Sequence, residues 1–449
     1  MEKKIEFKRK IEKKLYEWNN DPNKVPLIVD GLRQIGKSYI VDKFAHEEYE
    51  NVIVYDFRHN KSLRKIFDGN LDVDSIIRNS MPYFPNKEFI PYKTILIFEE
   101  IGDCPLARTS FKSFALDKRY AVIATGSLLG VLNYRRKQKI DIPTGYETII
   151  QMTSLDFEEF LWANGFNKFA INSIKLNFEN LECLEENLHN KILDLFKKYL
   201  LVGGLPDAVN TFVDSKNIYE IRKIQTNIHD FYGDDASKYD KEYKLKIKRI
   251  YDLIPSNLEN KKKRVVAQEI ENIKGKRFSN YQDEFDYLIS SGIAIDVKAI
   301  SNPTFPLIQS NSKNLLKLYL NDVGILTNLL YKNNANAILN DQNSINLGTV
   351  YESVVASELK AHGYNLFYYD NKTNGEVDFL IDDYDNLTTL PLEIKSGKDY
   401  LIHSAMNKFL QNKDYNVKKG YVFSNERKVF EKNNVVYMPI YYIMFFKNN

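Results

Sequence analysis

A short apolar run, Val25-Pro26-Leu27-Ile28-Val29-Asp30, leads directly into Gly31-Leu32-Arg33-Gln34-Ile35-Gly36-Lys37-Ser38 and then into Tyr39–Phe44. Nothing else in the chain restricts its fold as tightly. A G-x-x-x-x-G-K-S segment between a strand and a helix is a phosphate-binding loop, and it demands an α/β layer around it. Glycines let the backbone curl so that successive N–H groups point inward at phosphate oxygens. The following helix adds the partial positive charge of its N-terminus. In such a loop Gly31, Leu32, Arg33, Gln34, Ile35 and Gly36 cradle the phosphates. Lys37 supplies a cation between the β- and γ-phosphates, and Ser38 offers a hydroxyl to Mg2+.

A loop of this kind requires an acidic partner on a neighbouring strand. Lys93-Thr94-Ile95-Leu96-Ile97-Phe98-Glu99-Glu100 supplies four apolar residues, as in a strand buried on both faces, and two carboxylates at its C-terminal end. By their order, Glu99 is expected to help hold Mg2+ and Glu100 to polarise the attacking water. Tyr120-Ala121-Val122-Ile123-Ala124 then leads into Thr125-Gly126-Ser127, which makes Thr125 and Ser127 candidates to sense a γ-phosphate.

The last third has a different pattern. Leu347–Lys360 reads as an amphipathic helix with Glu352 on its core side. Glu376–Ile381 and Leu390–Lys395 read as two strands of a hairpin. With the strand period of two, Asp378, Glu393 and Lys395 fall on one polar surface and Val377, Phe379, Ile381, Leu392 and Ile394 on the apolar one. Carboxylates at Glu352, Asp378 and Glu393 suit Mg2+ or Mn2+, and Lys395 suits a metal-sharpened water or developing negative charge. The alternative is a charged hairpin face without activity.

Between these regions, about 216–310, the β/α alternation is lost. Helical spacing over Ile247–Leu258 and Gln282–Ser290, then a strand at Ile293–Ile300, is the order of a winged helix. Such modules bind DNA or serve as protein contacts. Residues 238–264 hold ten basic and four acidic side chains, ending Lys261-Lys262-Lys263-Arg264. That run reads either as a solvated helix face or as a phosphate-contacting surface.

Order and motifs together resemble a known family. GLRQIGKS, LIFEE, ATGSLLG, Ser154-Leu155-Asp156-Phe157-Glu158-Glu159-Phe160-Leu161-Trp162 and Gly203-Gly204-Leu205-Pro206 look like bacterial and archaeal AAA+-type ATPases, similar to the archaeal ATPase and signal-transducing (STAND) branch. The C-terminal pattern resembles the PD-(D/E)xK restriction-endonuclease-like fold. The resemblance implies three parts: an AAA+-type P-loop ATPase domain with a helical lid over 1–215, a winged-helix-like domain over 216–310, and a nuclease-like domain over 311–449. It also implies that Gly204 and Pro206 belong to the lid near the nucleotide. Many relatives carry Arg or Lys where Tyr146 stands here, so an arginine finger at that place is unsupported; Arg135 and Arg136 lie nearby.

The 449 residues carry 63 basic and 60 acidic side chains, so nucleic-acid contact has to come from local patches. Two cysteines, Cys104 and Cys183, exclude a disulfide framework, and the six histidines show no ligand spacing. No apolar stretch reaches the roughly 20 residues of a membrane helix. The longest, Val435–Phe446, reads as one or two buried strands. The expectation is a cytoplasmic ATPase that uses ATP and Mg2+, with DNA as its partner. A homo-oligomer and a protein partner are both compatible with the sequence. The rival expectation is a nucleotide-gated switch whose last domain binds without cutting.

Overall fold

The computed structural model describes residues 6–126, 145–236, 244–310, 312–342, 345–397 and 399–447. It separates into two compact units, one built on Lys8–Ser154 and the other on Leu155–Ile289 and Ile293–Asn449.

The first unit holds five parallel strands: β1 (Leu27–Asp30), β2 (Asn51–Asp56), β3 (Thr94–Glu99), β4 (Ala121–Gly126) and β5 (Thr148–Gln151), in the order β2-β3-β4-β1-β5. Parallel strands need helical crossovers, so both faces of this sheet are covered. Alternate residues of each strand divide between the faces. Leu27, Val29, Ile95, Ile97 and Ile123 pack with Leu15, Trp18, Ile40, Val41 and Phe44 from helices Ile11–Asn20 and Lys37–Glu48. Ile28, Leu96, Phe98, Val122 and Ala124 pack on the other face with Phe67, Ile76, Phe111 and Phe114. One expectation needs correcting. The acidic strand β3 is not next to the loop strand β1; β4 lies between them, pairing Val29 with Thr125 and Phe98 with Ala124.

The second unit begins with helices Phe157–Ala163, Lys168–Glu179, Glu186–Val202, Pro206–Asp214, Ile218–Ala236 and Lys244–Glu259, then Ala267–Glu271 and Gln282–Ser290. An eight-stranded sheet follows: β6 (Ala294–Ile300), β7 (Ser312–Leu320), β8 (Phe367–Asn371), β9 (Gly375–Asp383), β10 (Thr388–Ile394), β11 (Gly420–Ser424), β12 (Phe430–Lys432) and β13 (Val435–Pro439), in the order β12-β13-β11-β10-β9-β8-β6-β7. The expected helices and the β6–β7 hairpin are present, but β6 also runs parallel to β8 and so belongs to this sheet. The division expected at 310/311 therefore falls inside the β6–β7 pairing. The division expected at 215/216 also lies within this unit.

The apolar run Val435–Phe446 is one strand, β13, followed by a buried 3₁₀ segment, Ile440–Phe445, rather than two strands. No helix among the described residues is long and apolar enough to cross a membrane.

Candidate nucleotide site and carboxylate cluster

The phosphate loop begins where β1 ends. Gly31 has φ +152°, and a Cβ there would stand 2.2 Å from the Met152 carbonyl oxygen, so only glycine allows β1 to turn away beside that segment. Gly36 precedes the helix Lys37–Glu48, and the Lys37 side chain folds back over the loop. Its Nζ donates to the carbonyls of Gly31 (2.8 Å) and Leu32 (2.6 Å). Burial lowers its pKa to about 8, with Glu100 and Asp30 acting in the opposite direction. Arg9 braces the loop from behind, donating to the carbonyls of Ile35 (3.2 Å) and Thr153 (2.6 Å).

Glu99 and Glu100 differ in surroundings despite being adjacent. Burial raises the Glu99 pKa, aided by Asp56 and Glu100, while a hydrogen bond from Ser38 opposes the rise. That bond joins the two oxygen groups expected at Mg2+, so the donor set fits a hard cation. Glu100 sits at φ +52°, just beyond β3. Its carboxylate pairs with Arg58 at 2.8 Å and lies 3.9 Å from Arg33, and its N–H reaches Thr125 Oγ1 at 3.4 Å. Arg58 also holds Asp103 at 3.0 Å. Thr125 is thus beside the acidic pair, as its order in the chain suggests. Ser127, Arg135 and Arg136 lie outside the described residues. Cys104 is buried, and burial pushes its thiol up to about 11, which suits packing rather than chemistry.

Gly204 and Pro206 are packing positions of the second unit. A Cβ on Gly204 would stand 2.0 Å from the Leu155 carbonyl oxygen. The Gly204 N–H donates to Asp322 Oδ2 at 2.7 Å, and Asp322 Oδ1 caps the helix Val323–Tyr331 by accepting from Ile325 at 3.0 Å. Burial pushes Asp322 up to about 6, against the hydrogen bonds from Gly204 and Ile325 and the charge of Arg222. Pro206 opens the helix Pro206–Asp214, where its missing N–H costs nothing.

The hairpin read from the sequence is β9–β10. Phe379 pairs with Leu392 and Ile381 with Leu390, so the next pair outward sets Asp378 against Glu393 on the polar face. Asp378 Oδ2 accepts from the Ile394 N–H at 2.8 Å, and Lys395 Nζ donates to Glu393 Oε1 at 2.8 Å. Glu352 reaches toward this face from the helix Leu347–Ala361, where it is buried, but its oxygens are bonded to Lys263 and, at 3.1 Å, to the Tyr319 hydroxyl. Glu352, Asp378 and Glu393 do not bring one oxygen each within 4.8 Å of one another; among the described residues only Asp156, Glu358 and His362 form such a group.

Cations from elsewhere in the chain balance these acids. Lys317, wholly buried in β7, sits 2.6 Å from Glu376 and over the Tyr368 ring at 4.5 Å. Arg264 pairs with Asp370 (2.7 Å) and Glu376 (3.0 Å). The titration of the acids follows. Burial, Glu393 and Glu352 push Asp378 well above the usual carboxylate range. Burial also acts on Glu352, but Lys263 and Lys317 outweigh it and hold Glu352 below its usual value. Glu393 is raised by burial in spite of Lys395. Lys263 and Arg264 are therefore turned onto carboxylates, which leaves Lys261 and Lys262 as the exposed members of the four basic residues 261–264. Sequence reasoning missed the roles of Arg58, Lys263 and Lys317. Lys317 leaves a visible signal: it is a charge in the middle of the apolar strand Leu315-Leu316-Lys317-Leu318-Tyr319-Leu320.

Comparison with known proteins agrees with the first unit. The AAA domain family matches residues 23–161, while residues 193–336 match a domain of unknown function (DUF8612) and residues 347–443 another (DUF4143). The chain is similar to the Walker-type ATPase of Pyrococcus abyssi, with 13% identity, 72% of this chain and 96% of that one covered, and a TM-score of 0.41. It is also similar to the ORC2 protein of Aeropyrum pernix in its ADPNP–ADP complexes, with 11% identity, 76% and 96% coverage and a TM-score of 0.37. No curated protein matches. The region around the phosphate loop is a P-loop ATPase domain of the AAA type. The protein is an ATPase that binds ATP through it.

Proposed function

We propose that ATP hydrolysis in the first unit is coupled to nucleic-acid work in the second, with DNA bound there and a carboxylate–lysine centre of PD-(D/E)xK type as the candidate for metal-dependent cleavage. Gly31 through Ser38 hold the phosphates, Lys37 leaving its two carbonyls for the β- and γ-phosphate oxygens. Ser38 and Glu99 hold Mg2+, which when bound offsets phosphate charge. Glu100 orients and polarises the attacking water, and Thr125 senses the γ-phosphate. The paired Arg58 sets how much of the Glu100 carboxylate is available to that water.

The observation that carries the second half is the juxtaposition of Asp378 and Glu393 on neighbouring strands, with Lys395 beside them and the Glu352 helix behind. A helix, three strands of which two form the acidic hairpin, a further helix (Ser404–Gln411) and the parallel strand β11 support the restriction-endonuclease-like reading of this part. Asp378 and Glu393 would hold Mg2+ or Mn2+, with Glu352 joining them only on release from Lys263 and Tyr319, and Lys395 would steady the developing negative charge at the phosphate. The helices preceding the β6–β7 hairpin support a winged-helix role in DNA contact, with Lys261 and Lys262 on its exposed side.

One observation favours a second reading. Lys263 and Lys317 already supply positive charge to Glu352 and its neighbours, as a metal would. A nucleotide-gated switch that binds DNA or a protein without cutting is consistent with that balance.

Purified full-length protein, mixed with plasmid, linear and single-stranded DNA while ATP and Mg2+ or Mn2+ are varied separately, decides between the two. Cleavage that needs Mn2+ or Mg2+ and disappears in Asp378→Asn supports the nuclease. Binding with no cutting under any condition, in wild type and in Lys263→Ala alike, overturns it and leaves the switch. Absence of both binding and cutting removes DNA from the reading.

A further inference from the structure

Outside both regions just described, the second unit contains a buried group of donors from two distant stretches of chain. Asp156 caps the helix Phe157–Ala163, its Oδ1 accepting from the Glu159 N–H at 2.9 Å. Glu358, on the helix Leu347–Ala361, accepts from the Phe157 N–H through Oε1 at 2.7 Å. Each acid thus has one oxygen fixed at the start of the same short helix. Asp156 Oδ2 and Glu358 Oε2 both lie near His362, which follows Glu358 by four residues and closes that longer helix.

The histidine is what makes this more than a cap. Its side chain is 4% exposed, and neither ring nitrogen has a hydrogen-bond partner among the described residues. Its Nε2 lies 3.7 Å from Asp156 Oδ2 and 3.8 Å from Glu358 Oε2. Those distances are too long for hydrogen bonds. An imidazole buried without partners is costly, and an imidazolium held by two carboxylates would close to the short separations of charge-assisted bonds. Two ligands about 2.0–2.2 Å from a tetrahedral zinc stand roughly 3.4 Å apart, and further apart as the angle opens. The observed separations suit donors spaced around one ion, and one donor atom from each residue lies within 4.8 Å of the other two.

We propose that Asp156, Glu358 and His362 form a binding site for one divalent transition-metal cation. Two carboxylate oxygens and an imidazole nitrogen favour Zn2+ or a similar borderline ion over Mg2+ or Ca2+, which prefer all-oxygen shells. The ion ties the start of the helix Phe157–Ala163 to the end of the helix Leu347–Ala361, joining segments about two hundred residues apart. Its role is that of a structural clasp, and the site stands apart from the nuclease reading.

The test uses full-length protein without a histidine tag or nucleotide, stripped of metal by a chelator. Zn2+ stoichiometry is read by competition with a chromophoric chelator in wild type, in Asp378→Asn/Glu393→Gln and in His362→Gln. One tight equivalent is expected in the first two. In His362→Gln it should be lost or weakened at least about 100-fold, at or beyond the upper end of the losses seen when only a ligand's supporting partner is removed. Co2+ in the Asp378→Asn/Glu393→Gln protein should give visible ligand-field bands without a thiolate charge-transfer band, a result that does not depend on His362→Gln folding. Equal Zn2+ binding in wild type and a folded His362→Gln overturns the proposal. So does the absence of any tight equivalent or of the Co2+ bands, which reduces the group to a metal-free ion triad.

Discussion

The phosphate loop and the carboxylate cluster each set a lysine beside strand-end acids, yet their lysines are used in opposite ways. Lys37 rests on two backbone carbonyls of its own loop, neutral groups that give it up readily to a stronger acceptor. Lys263 and Lys317 rest on carboxylates. A lysine on carbonyls is poised for an incoming anion, whereas a lysine on a buried carboxylate is part of the fold, because its removal leaves a buried charge without compensation. The same residue type therefore reports a binding site in one unit and charge balance in the other.

The largest test of that contrast is Lys37→Ala, which should abolish ATP binding in a fluorescent-nucleotide titration while leaving thermal stability nearly unchanged. Retained binding would place Lys37 among the structural lysines. Glu100→Gln comes next. It should keep ATP binding and lower steady-state hydrolysis by about 10²-fold or more, the scale of a positioned base. Hydrolysis at the wild-type rate would transfer that role to Glu99.

On the other side, Lys263→Ala should lower unfolding free energy by about 3–5 kcal/mol in a denaturant melt, the usual cost of stranding one member of a buried pair. Lys263→Ala/Glu352→Gln should recover most of that loss. A single variant as stable as wild type would mean that Lys263 is as free as Lys37.

The smallest effect concerns Asp322, whose pKa rises from 3.8 to about 6 on burial. The native state then holds this proton more tightly than the unfolded chain. The contribution is fully present below about pH 4 and is lost as pH rises through about 6, up to about 3 kcal/mol in all. Urea melts of wild type and Asp322→Asn between pH 4.5 and 7 should diverge in slope by that sense: wild type loses stability with rising pH relative to the variant. Parallel curves would remove the titration from Asp322.

How far these regions could be read from sequence follows from where their partners lie. The phosphate loop is local: Gly31, Gly36, Lys37 and Ser38 are fixed by a strand and helix joined within a dozen residues, and the apolar runs of β3 and β4 identify themselves. The position of β4 between β1 and β3 was not legible, because strand order depends on crossovers and not on the strands' own residues. The Asp378–Glu393 pairing was legible because a tight hairpin fixes its register through the alternation of Val377, Phe379 and Ile381. The partners of Glu352 were not, since Lys263 is 89 residues away and its run of four basic residues reads equally well as a solvated face. His362 was hidden for the same reason: its spacing to Glu358 is helical, but Asp156 comes from a different part of the chain.

The parallel pairing of β6 with β8 has a consequence for how this protein can be cut. A fragment starting near residue 311 keeps β7 and β8 but loses β6 between them, along with Lys263 and Arg264. The backbone hydrogen-bonding edge of β8 would be left uncovered and β7 would have no neighbour, which is the arrangement that recruits a second chain into a sheet. Such a fragment should self-associate, and the acidic residues on it would no longer carry the charge balance of the whole protein. Activity or its absence in that piece would report on the exposed edge rather than on the site.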